Sequence, residues 1–317
     1  MRRLRPAPLL VRAAARRQLG LVTTAQCVAA GMSRKAVRTR ADRRAWVRVT
    51  TGVYDVDPAR TRELDPGGLR RRAAVLGLLA YGPDAVAVGT AALALHGLWG
   101  LPVRIRPQVA LADGDSRRSR DGILVRRFAV PVVERTRDGH AVAPLDVALA
   151  QAVPELDRDH AVAVLDSAVN LGLLTAQDLE HVRSLVRGRR GAERVAGWWS
   201  LVDGRSESTY ETFARLECRD AGLPPDDLQV RLRRPDGGEA RGDLGWRIDE
   251  DHWLLAEIEG KSVHGAPGAD RRDRRRQNGI TLTGGATFLR YDPGDVRTGL
   301  VPAEVRLALD AHRRHAA

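Results

Sequence analysis

The segment from Leu254 to Gly265, LLAEIEGKSVHG, constrains the fold of this chain more than any other stretch. Its charged residues Glu257, Glu259 and Lys261 stand at every second position, with apolar residues around the first two. Side chains two positions apart in a β-strand lie on one face, so these three would share a face. The pattern predicts either a solvated edge strand or one side of a metal-dependent nuclease site.

The flanking sequence predicts an ordered series of elements around this strand. The series begins with a helix at RSESTYETFARLECRDAGLP and two strands joined by a turn at DLQVRLRRPDGGEARGDLGWRI. It continues with the strand LLAEIEG, a second helix at RRDRRRQNGITLTGG and a last strand at ATFLRYD. The turn falls at PDGG, which is a hairpin signal. This order resembles the core of the restriction-endonuclease-like fold.

Two of the predicted strands carry acidic residues at the spacing of metal-dependent nucleases. Asp243 is followed, after fifteen residues, by Glu259-Gly-Lys261, a D…(D/E)-x-K pattern. Phosphodiester hydrolysis needs a divalent cation held by carboxylate oxygens, and a lysine can orient or deprotonate the attacking water. We therefore expect Asp243, Glu257 and Glu259 to bind Mg²⁺ or Mn²⁺, and Glu211 from the first helix to complete the acidic cluster.

The use of lysine at this position is itself informative. The chain has two lysines, Lys35 and Lys261, beside 50 arginines. Lysine is a compact point charge, whereas arginine is a planar fork. Keeping a lysine at 261 therefore indicates that an ammonium group is needed there.

Positive charge is concentrated at the N-terminal end of the chain. Residues 1–63 hold 15 basic residues against four acidic ones, a net charge of +11 out of +12 for the whole chain. An arginine-rich surface from a GC-rich genome is the alternative, but it would spread the excess along the sequence. We therefore predict that this segment meets a polyanion, namely nucleic acid.

The same segment has the pattern of two short helices followed by a hairpin. Thr23 or Thr24 can cap a helix that ends at Gly31, and Ser33 can cap the next helix. WVRVTTGVYDV then predicts two strands with a bend at Gly52. This is a winged helix-turn-helix, whose second helix would enter the major groove. The side chains expected to contact DNA are Arg34, Lys35, Arg38, Arg43, Arg44 and Arg48.

Two finer expectations concern helix faces in this segment. LVRAAARRQLG predicts a preceding helix with an apolar stripe of Leu10, Ala14 and Leu19. In the helix after Ser33, Val37 is expected to face inward, and Arg40 is expected to stay on the solvated faces with the other basic residues.

The stretch RRQLGLVTTAQCVAAGMSRKAVRTRADRRAWVRVTTGVYDV resembles the N-terminal domain of AbiEi-like antitoxins of type IV toxin–antitoxin systems, over roughly residues 10–56. The matching elements are QLGLVTTAQ, the G-x-S-x-x-x-V turn and helix, and the W-x-x-V-x-x-GVY hairpin. The resemblance implies a winged helix-turn-helix that binds operator DNA, and it raises a cognate toxin as a partner. A symmetric operator would require a homodimer. A small helical packing domain with solvated arginines is the alternative.

The C-terminal part resembles a large family of actinobacterial proteins with a domain akin to very-short-patch-repair endonucleases, over about residues 205–297. The resemblance is carried by S-x-x-E ending at Glu211, AGLPPDDLQV, D-L-x-W at Asp243, E-x-E-G-K-x-x-H ending at His264 and an arginine-rich D-x-x-R-x-N. It implies metal-binding roles for Asp243, Glu257 and Glu259. Lys261 stands where relatives often have arginine, which cannot act as a base.

These patterns predict an α+β multidomain chain in three parts. A winged helix-turn-helix domain is expected over 1–63, a mixed strand and helical middle region over 64–200, and a restriction-endonuclease-like α/β sandwich of the PD-(D/E)xK type over 201–317. The middle region lacks a phosphate-binding loop and is expected to act as a spacer or oligomerisation layer.

Two functions remain open at this point. The first is a DNA-binding protein with a metal-dependent endonuclease domain. The second is a transcriptional regulator or antitoxin-like protein whose nuclease-like domain is inactive and serves interaction. A nucleotidyltransferase or kinase is disfavoured because no phosphate-binding loop is present.

Composition indicates the cellular compartment of the protein. No apolar run reaches about 18 residues, which predicts no membrane-spanning helix. The basic N-terminus lacks the apolar core of a secretion signal. Cys27 and Cys218 are far apart and outside any CxxC pattern, which disfavours a zinc site or disulfide framework. We therefore expect a cytoplasmic protein.

Overall fold

The chain divides into two units in the computed structural model, which describes residues 4–111, 118–127, 132–233, 239–259 and 285–316. The first unit comprises Met1–Leu156 with Gln177–Val195, and the second comprises Asp157–Ala176 with Ala196–Ala317. Each unit combines helices with a β-sheet core, which confirms the prediction of an α+β multidomain chain.

Helices and strands alternate along the described residues. The helices are α1 (Leu9–Arg17), α2 (Thr24–Ala29), α3 (Arg34–Asp42), α4 (Pro58–Arg62), α5 (Pro66–Tyr81), α6 (Gly89–His96), α7 (Leu145–Ala152), α8 (Arg158–Asn170), α9 (Ala176–Val186), α10 (Thr209–Asp220) and α11 (Leu300–Ala316). The strands are β1 (Leu21–Thr23), β2 (Val47–Thr50), β3 (Val53–Asp55), β4 (Ala85–Ala87), β5 (Gln108–Leu111), β6 (Leu124–Arg126), β7 (Glu134–Arg135), β8 (Ala141–Val142), β9 (Asp227–Arg233), β10 (Glu239–Arg247), β11 (Trp253–Ile258) and β12 (Ala286–Tyr291). Among these helices, none is long and apolar enough to cross a membrane.

The first unit begins with α1, β1, α2, α3 and the β2–β3 hairpin, and its small antiparallel sheet has the order β1-β3-β2. Side-chain caps explain where the two short helices start. Thr23 and Gln26 form a reciprocal capping box at α2, and the Ser33 hydroxyl accepts the backbone N–H of Ala36 at α3. Both predicted caps and the predicted hairpin are confirmed.

The apolar stripe of α1 differs from the predicted one. Leu10 is 70% exposed, whereas Val11, Ala14 and Ala15 are buried. The buried set follows the i, i+3, i+4 spacing of one helix face, and that face packs into a cluster with Cys27. The prediction for Leu10 is wrong because a nine-residue helix with many small residues offers more than one apolar stripe.

Arg40 lies in the core of this region, and the prediction that it is solvated is wrong. Only 8% of the residue is exposed, and its guanidinium lies 5.3 Å from the centre of the Trp46 ring. Its N–H groups donate to the backbone carbonyls of Ala36 at 3.1 Å and Arg5 at 2.7 Å. These partners satisfy the donors that burial would otherwise leave unpaired.

The remainder of the first unit is built on a five-stranded sheet with the order β6-β5-β4-β8-β7. Strands β5 and β6 and helices α7 and α9 agree with the mixed strand and helical character expected of the middle region. The short strand β4 was not predicted. Helix α5 packs on this sheet through Ala74, Leu78 and Tyr81.

The second unit contains a four-stranded sheet with the order β12-β11-β10-β9. Neighbouring strands β9, β10 and β11 are antiparallel, whereas β11 and β12 are parallel. Helix α10 and all four strands lie where the sequence predicts them. Helix α11 was not predicted. The predicted helix at RRDRRRQNGITLTGG and the PDGG turn lie outside the described residues.

A buried carboxylate joins α8 to α10 in the second unit. Asp166 is fully buried and accepts hydrogen bonds from the Thr212 hydroxyl at 2.7 Å, the Arg215 guanidinium at 2.8 Å and the backbone N–H of Asp203 at 2.7 Å. Burial raises the pKa of Asp166 to about 6, although Arg215 opposes this shift. The network fixes the position of α10 and therefore of the acidic residue at its start.

Candidate functional site

Two predicted acidic residues, Glu211 and Asp243, form the buried centre of the candidate site. Glu211 lies in the first turn of α10, where its backbone N–H is capped by the Ser208 hydroxyl. Asp243 lies in the middle of β10. Glu211 is 6% exposed and Asp243 is 7% exposed. Carboxylates are seldom buried to this extent unless they have partners.

The electrostatics of this pair favour protonation or a bound cation. Burial, with a further contribution from the nearby charge of Asp243, raises the pKa of Glu211 to about 7. Burial also raises the pKa of Asp243, against the lowering effect of a hydrogen bond from Ile258. Two carboxylates with raised pKa values in one site are a pattern found at functional centres.

Each carboxylate accepts hydrogen bonds from specific groups of the chain. Glu211 Oε2 accepts the backbone N–H of Glu207 at 2.8 Å and the side-chain amide of Gln229 at 2.9 Å. Asp243 Oδ2 accepts the backbone N–H of Ile258, at the end of β11, at 2.8 Å. The donors therefore come from the approach to α10, from β9 and from β11, and they set the orientation of both acids.

Gln229 adopts an unusual backbone conformation next to this pair. Its φ of +55° lies in the left-handed region, although it is not glycine and stands inside β9. In the antiparallel pair β9–β10, Val230 pairs with Gly242 and Leu228 pairs with Leu244, so Gln229 lies opposite Asp243. Such strain costs on the order of 1–3 kcal/mol and persists where the surrounding structure holds it, often at functional sites.

A second pair of predicted acids, Glu257 and Glu259, shares the guanidinium of one arginine. Arg290 in β12 places Nη2 3.2 Å from Glu257 Oε2 and Nη1 3.2 Å from Glu259 Oε1. Glu257 and Arg290 are register partners in the parallel β11–β12 pair. Both acids contact one guanidinium, which agrees with their predicted common face.

Another arginine lies beside Asp243. Arg241, two residues earlier in β10, donates to both carboxylate oxygens of Glu207, at 3.0 and 2.6 Å. Its Nη2 is 4.0 Å from Asp243 Oδ1. The site thus combines acids with two guanidinium groups, each of which contacts carboxylate oxygens through both terminal nitrogens. Such groups are suited to carboxylate and phosphate oxygens.

The last residue predicted for this site is Lys261. Lys261 lies outside the described residues, and so do two segments of the resemblance motifs, His264 and the arginine-rich stretch 271–276. Within the described ranges, no group of three or more acidic, histidine or cysteine side chains is arranged to hold a metal ion. Asp243, Glu257 and Glu259 therefore do not form a three-ligand cluster on their own in this part of the chain.

Sequence reasoning missed four residues of the candidate site: Glu207, Gln229, Arg241 and Arg290. Arg241 and Glu207 stand two and four residues from predicted site residues, so the spacing could have suggested them. Arg290 lies 33 and 31 positions from its two acidic partners, and only the strand order brings them together.

The basic residues predicted to contact DNA lie around α3 and the β2–β3 hairpin. Those exposed to solvent are Arg34, Lys35, Arg38, Arg43, Arg44 and Arg48. A cleft of about 230 Å³ lies between α3 and the hairpin, and Arg34, Arg38 and Arg48 line it together with Thr24 and Gly52. Arg48 Nη2 also donates to the Thr51 hydroxyl at 3.2 Å in the hairpin turn.

The chain is similar in sequence to two mycobacterial proteins. No model of a known protein family matches it. The uncharacterized proteins MT2308 and Rv2248, from two strains of Mycobacterium tuberculosis, are each 30% identical to the chain over 246 residues. The match covers 77% of this chain and 85% of each relative. The chain belongs to the same family as these two mycobacterial proteins.

Proposed function

We propose that this chain is a DNA-binding protein whose second unit contains a metal-dependent endonuclease site. The observation that carries the proposal is the buried pair Glu211 and Asp243, whose pKa values are both raised. Ionising both carboxylates in a buried site is unfavourable unless a cation neutralises them. In a metal-dependent nuclease site, a divalent cation neutralises such carboxylates.

The oxygen donors of this pair are of the chemical type that Mg²⁺ or Mn²⁺ binds. These hard cations take oxygen ligands, and carboxylates are the ligands that they prefer in proteins. Glu211 and Asp243 would hold the ion, and Glu257 and Glu259 would add ligands once Arg290 releases them. When bound, the metal would polarise a phosphoryl group and lower the pKa of a water molecule.

The side chains supply the rest of the chemistry. A pKa of about 7 means that Glu211 would give up its proton near neutral pH on binding the cation, because a metal ligand must be deprotonated. Arg241 and Arg290 carry guanidinium groups that can contact phosphate oxygens in pairs. Lys261 would orient the attacking water and offset developing charge, as proposed from its spacing to Glu259.

DNA binding is assigned to the N-terminal part of the first unit. The capped helices α2 and α3 and the β2–β3 hairpin are consistent with a winged helix-turn-helix fold, in which α3 would enter the major groove. Arg34, Lys35 and Arg38 are exposed on α3. The net charge of +11 over residues 1–63 supports contact with phosphates.

One pair of substitutions separates the two activities. Asp243→Asn should weaken Mn²⁺ binding in calorimetry and leave duplex affinity unchanged, whereas Arg38→Gln should weaken duplex binding and leave Mn²⁺ binding unchanged. Matched controls are Asp251→Asn and Arg187→Gln, which remove the same charges from exposed positions. The site assignment is wrong if Asp243→Asn binds Mn²⁺ as tightly as Asp251→Asn does.

The alternative is a regulator or antitoxin-like protein with an inactive nuclease-like unit. One observation favours it: Arg290 contacts both Glu257 and Glu259, and its positive charge offsets one of their two negative charges. In that case the DNA partner would be an operator, a homodimer would match its symmetry, and a cognate toxin would be a further partner. A footprint on duplex DNA without cleavage in Mg²⁺ or Mn²⁺ would support this alternative.

A further inference from the structure

A cavity of about 320 Å³ lies in the first unit, on the side of α1 and α4. Three arginines and three apolar side chains line it: Arg12, Arg16, Arg60, Leu19, Val56 and Leu64. The volume is at the lower end of the range for small-molecule sites, and the mixture of apolar wall and charged rim is typical of them.

The three arginines are available to a ligand. Among the residues that the structure describes, no hydrogen bond or ion pair involves the guanidinium groups of Arg12, Arg16 or Arg60. Asp57, the acidic residue at the cavity, accepts the backbone N–H of Arg60 instead. The cavity therefore has an excess of positive charge.

The cavity lies away from the cleft beside α3. Strands β1 and β3 are antiparallel, and Val56 N–H donates to the Gly20 carbonyl at the cavity end. At the opposite end, Thr24 N–H donates to the Gly52 carbonyl beside the α3 cleft. Four residues of extended chain separate the two ends by about 13 Å. The cavity and the cleft thus lie at opposite ends of the same two strands.

We propose that this cavity binds a small amphipathic anion, an organic carboxylate or phosphate monoester. The anionic group would contact two or more of the arginines, since a guanidinium pairs with such groups through two parallel hydrogen bonds. The apolar part would rest on Leu19, Val56 and Leu64. The proposal does not depend on the nuclease or DNA-binding functions proposed above.

Calorimetry with phenyl phosphate on the full chain tests the proposal. The cavity variant is Arg16→Gln/Arg60→Gln, and the control is Arg17→Gln/Arg62→Gln. The control residues are exposed on the same two helices but do not line the cavity. Thermal melting of both variants checks that they fold.

The expected result is millimolar or tighter binding to the wild type and the control, and binding at least about tenfold weaker to the cavity variant. Benzyl alcohol, which lacks the anion, should not bind, and inorganic phosphate, which lacks the apolar part, should bind at least about tenfold more weakly. Three results with small ligands would overturn the proposal. They are no binding of phenyl phosphate, equal weakening by both variants, and equal affinity for inorganic phosphate. Displacement of phenyl phosphate by duplex DNA would also overturn it, because the arginines would then belong to the DNA surface.

Discussion

Replacing Glu211 by glutamine should change how the stability of the protein depends on pH. Burial and the charge of Asp243 raise the pKa of Glu211 from its ordinary value of 4.5 to about 7 in the folded chain. The folded state therefore binds this proton more tightly than the unfolded state does. The resulting stabilisation is fully present below the unfolded pKa and is lost as the pH rises through the folded pKa.

The magnitude follows from the two pKa values. A difference of one pH unit between folded and unfolded pKa corresponds to about 1.36 kcal/mol, so complete ionisation of Glu211 costs roughly 3 kcal/mol. Between pH 5 and pH 8 the loss is about 2.5 kcal/mol by the same relation. Glutamine cannot ionise, and its side-chain oxygen can still accept the N–H of Glu207 and the amide of Gln229.

Urea unfolding at pH 5, 6, 7 and 8 measures this difference. The wild type should lose about 2.5 kcal/mol more than Glu211→Gln across the range, and Glu250→Gln, which alters an exposed acid of the same unit, should follow the wild type. Mg²⁺ added at pH 8 should restore stability to the wild type and not to Glu211→Gln. Parallel pH profiles for the wild type and Glu211→Gln would refute the reasoning.

Three further predictions follow from single contacts. Arg290→Met should tighten Mg²⁺ binding several-fold in calorimetry. The two partly exposed ion pairs of Arg290 with Glu257 and Glu259 stabilise the metal-free state by on the order of 1 kcal/mol, and the variant lacks them; an unchanged affinity would contradict this. Arg40→Met should lower the free energy of unfolding by about 1–2 kcal/mol, through lost hydrogen bonds and the lost contact with Trp46, and a urea curve matching the wild type would count against it. Burial raises the pKa of Cys27 to about 11 and that of Cys218 to about 12, so thiol labelling at pH 8 should be slow until the protein unfolds, and rapid labelling would show that the thiols are accessible.

The sequence predicted the elements that carry the candidate site because each has a strong local signal. Ser208, Ser33 and Thr23 stand at helix starts as caps, and the alternation around Glu257 is that of a strand. Local patterns of this kind depend only on residues close in sequence, so they can be recognised without knowledge of the fold.

The partners of the site residues could not be predicted in the same way. Arg290 meets Glu257 because β12 runs parallel to β11, and Gln229 meets Glu211 because β9 passes the start of α10. Sheet order and helix packing determine both contacts, and residue spacing does not encode them.

Two other differences have physical causes. Strand β4 lies in a run of small apolar residues, which lacks the alternation of a half-buried strand because it is buried on both faces. Arg40 was expected at the surface because arginine is seldom buried. Its burial depends on Trp46 and on two backbone carbonyls that happen to lie within its reach.

A cleavage assay tests the central claim most directly. Plasmid and short duplexes are incubated with Mg²⁺ or Mn²⁺ and either the wild type or the Glu259→Ala/Lys261→Ala variant, with DNA binding measured in parallel. The account predicts cutting by the wild type alone and equal DNA binding by both proteins. Binding by both proteins without cutting by either would contradict it, and the second unit would then be an inactive partner of a DNA-binding regulator.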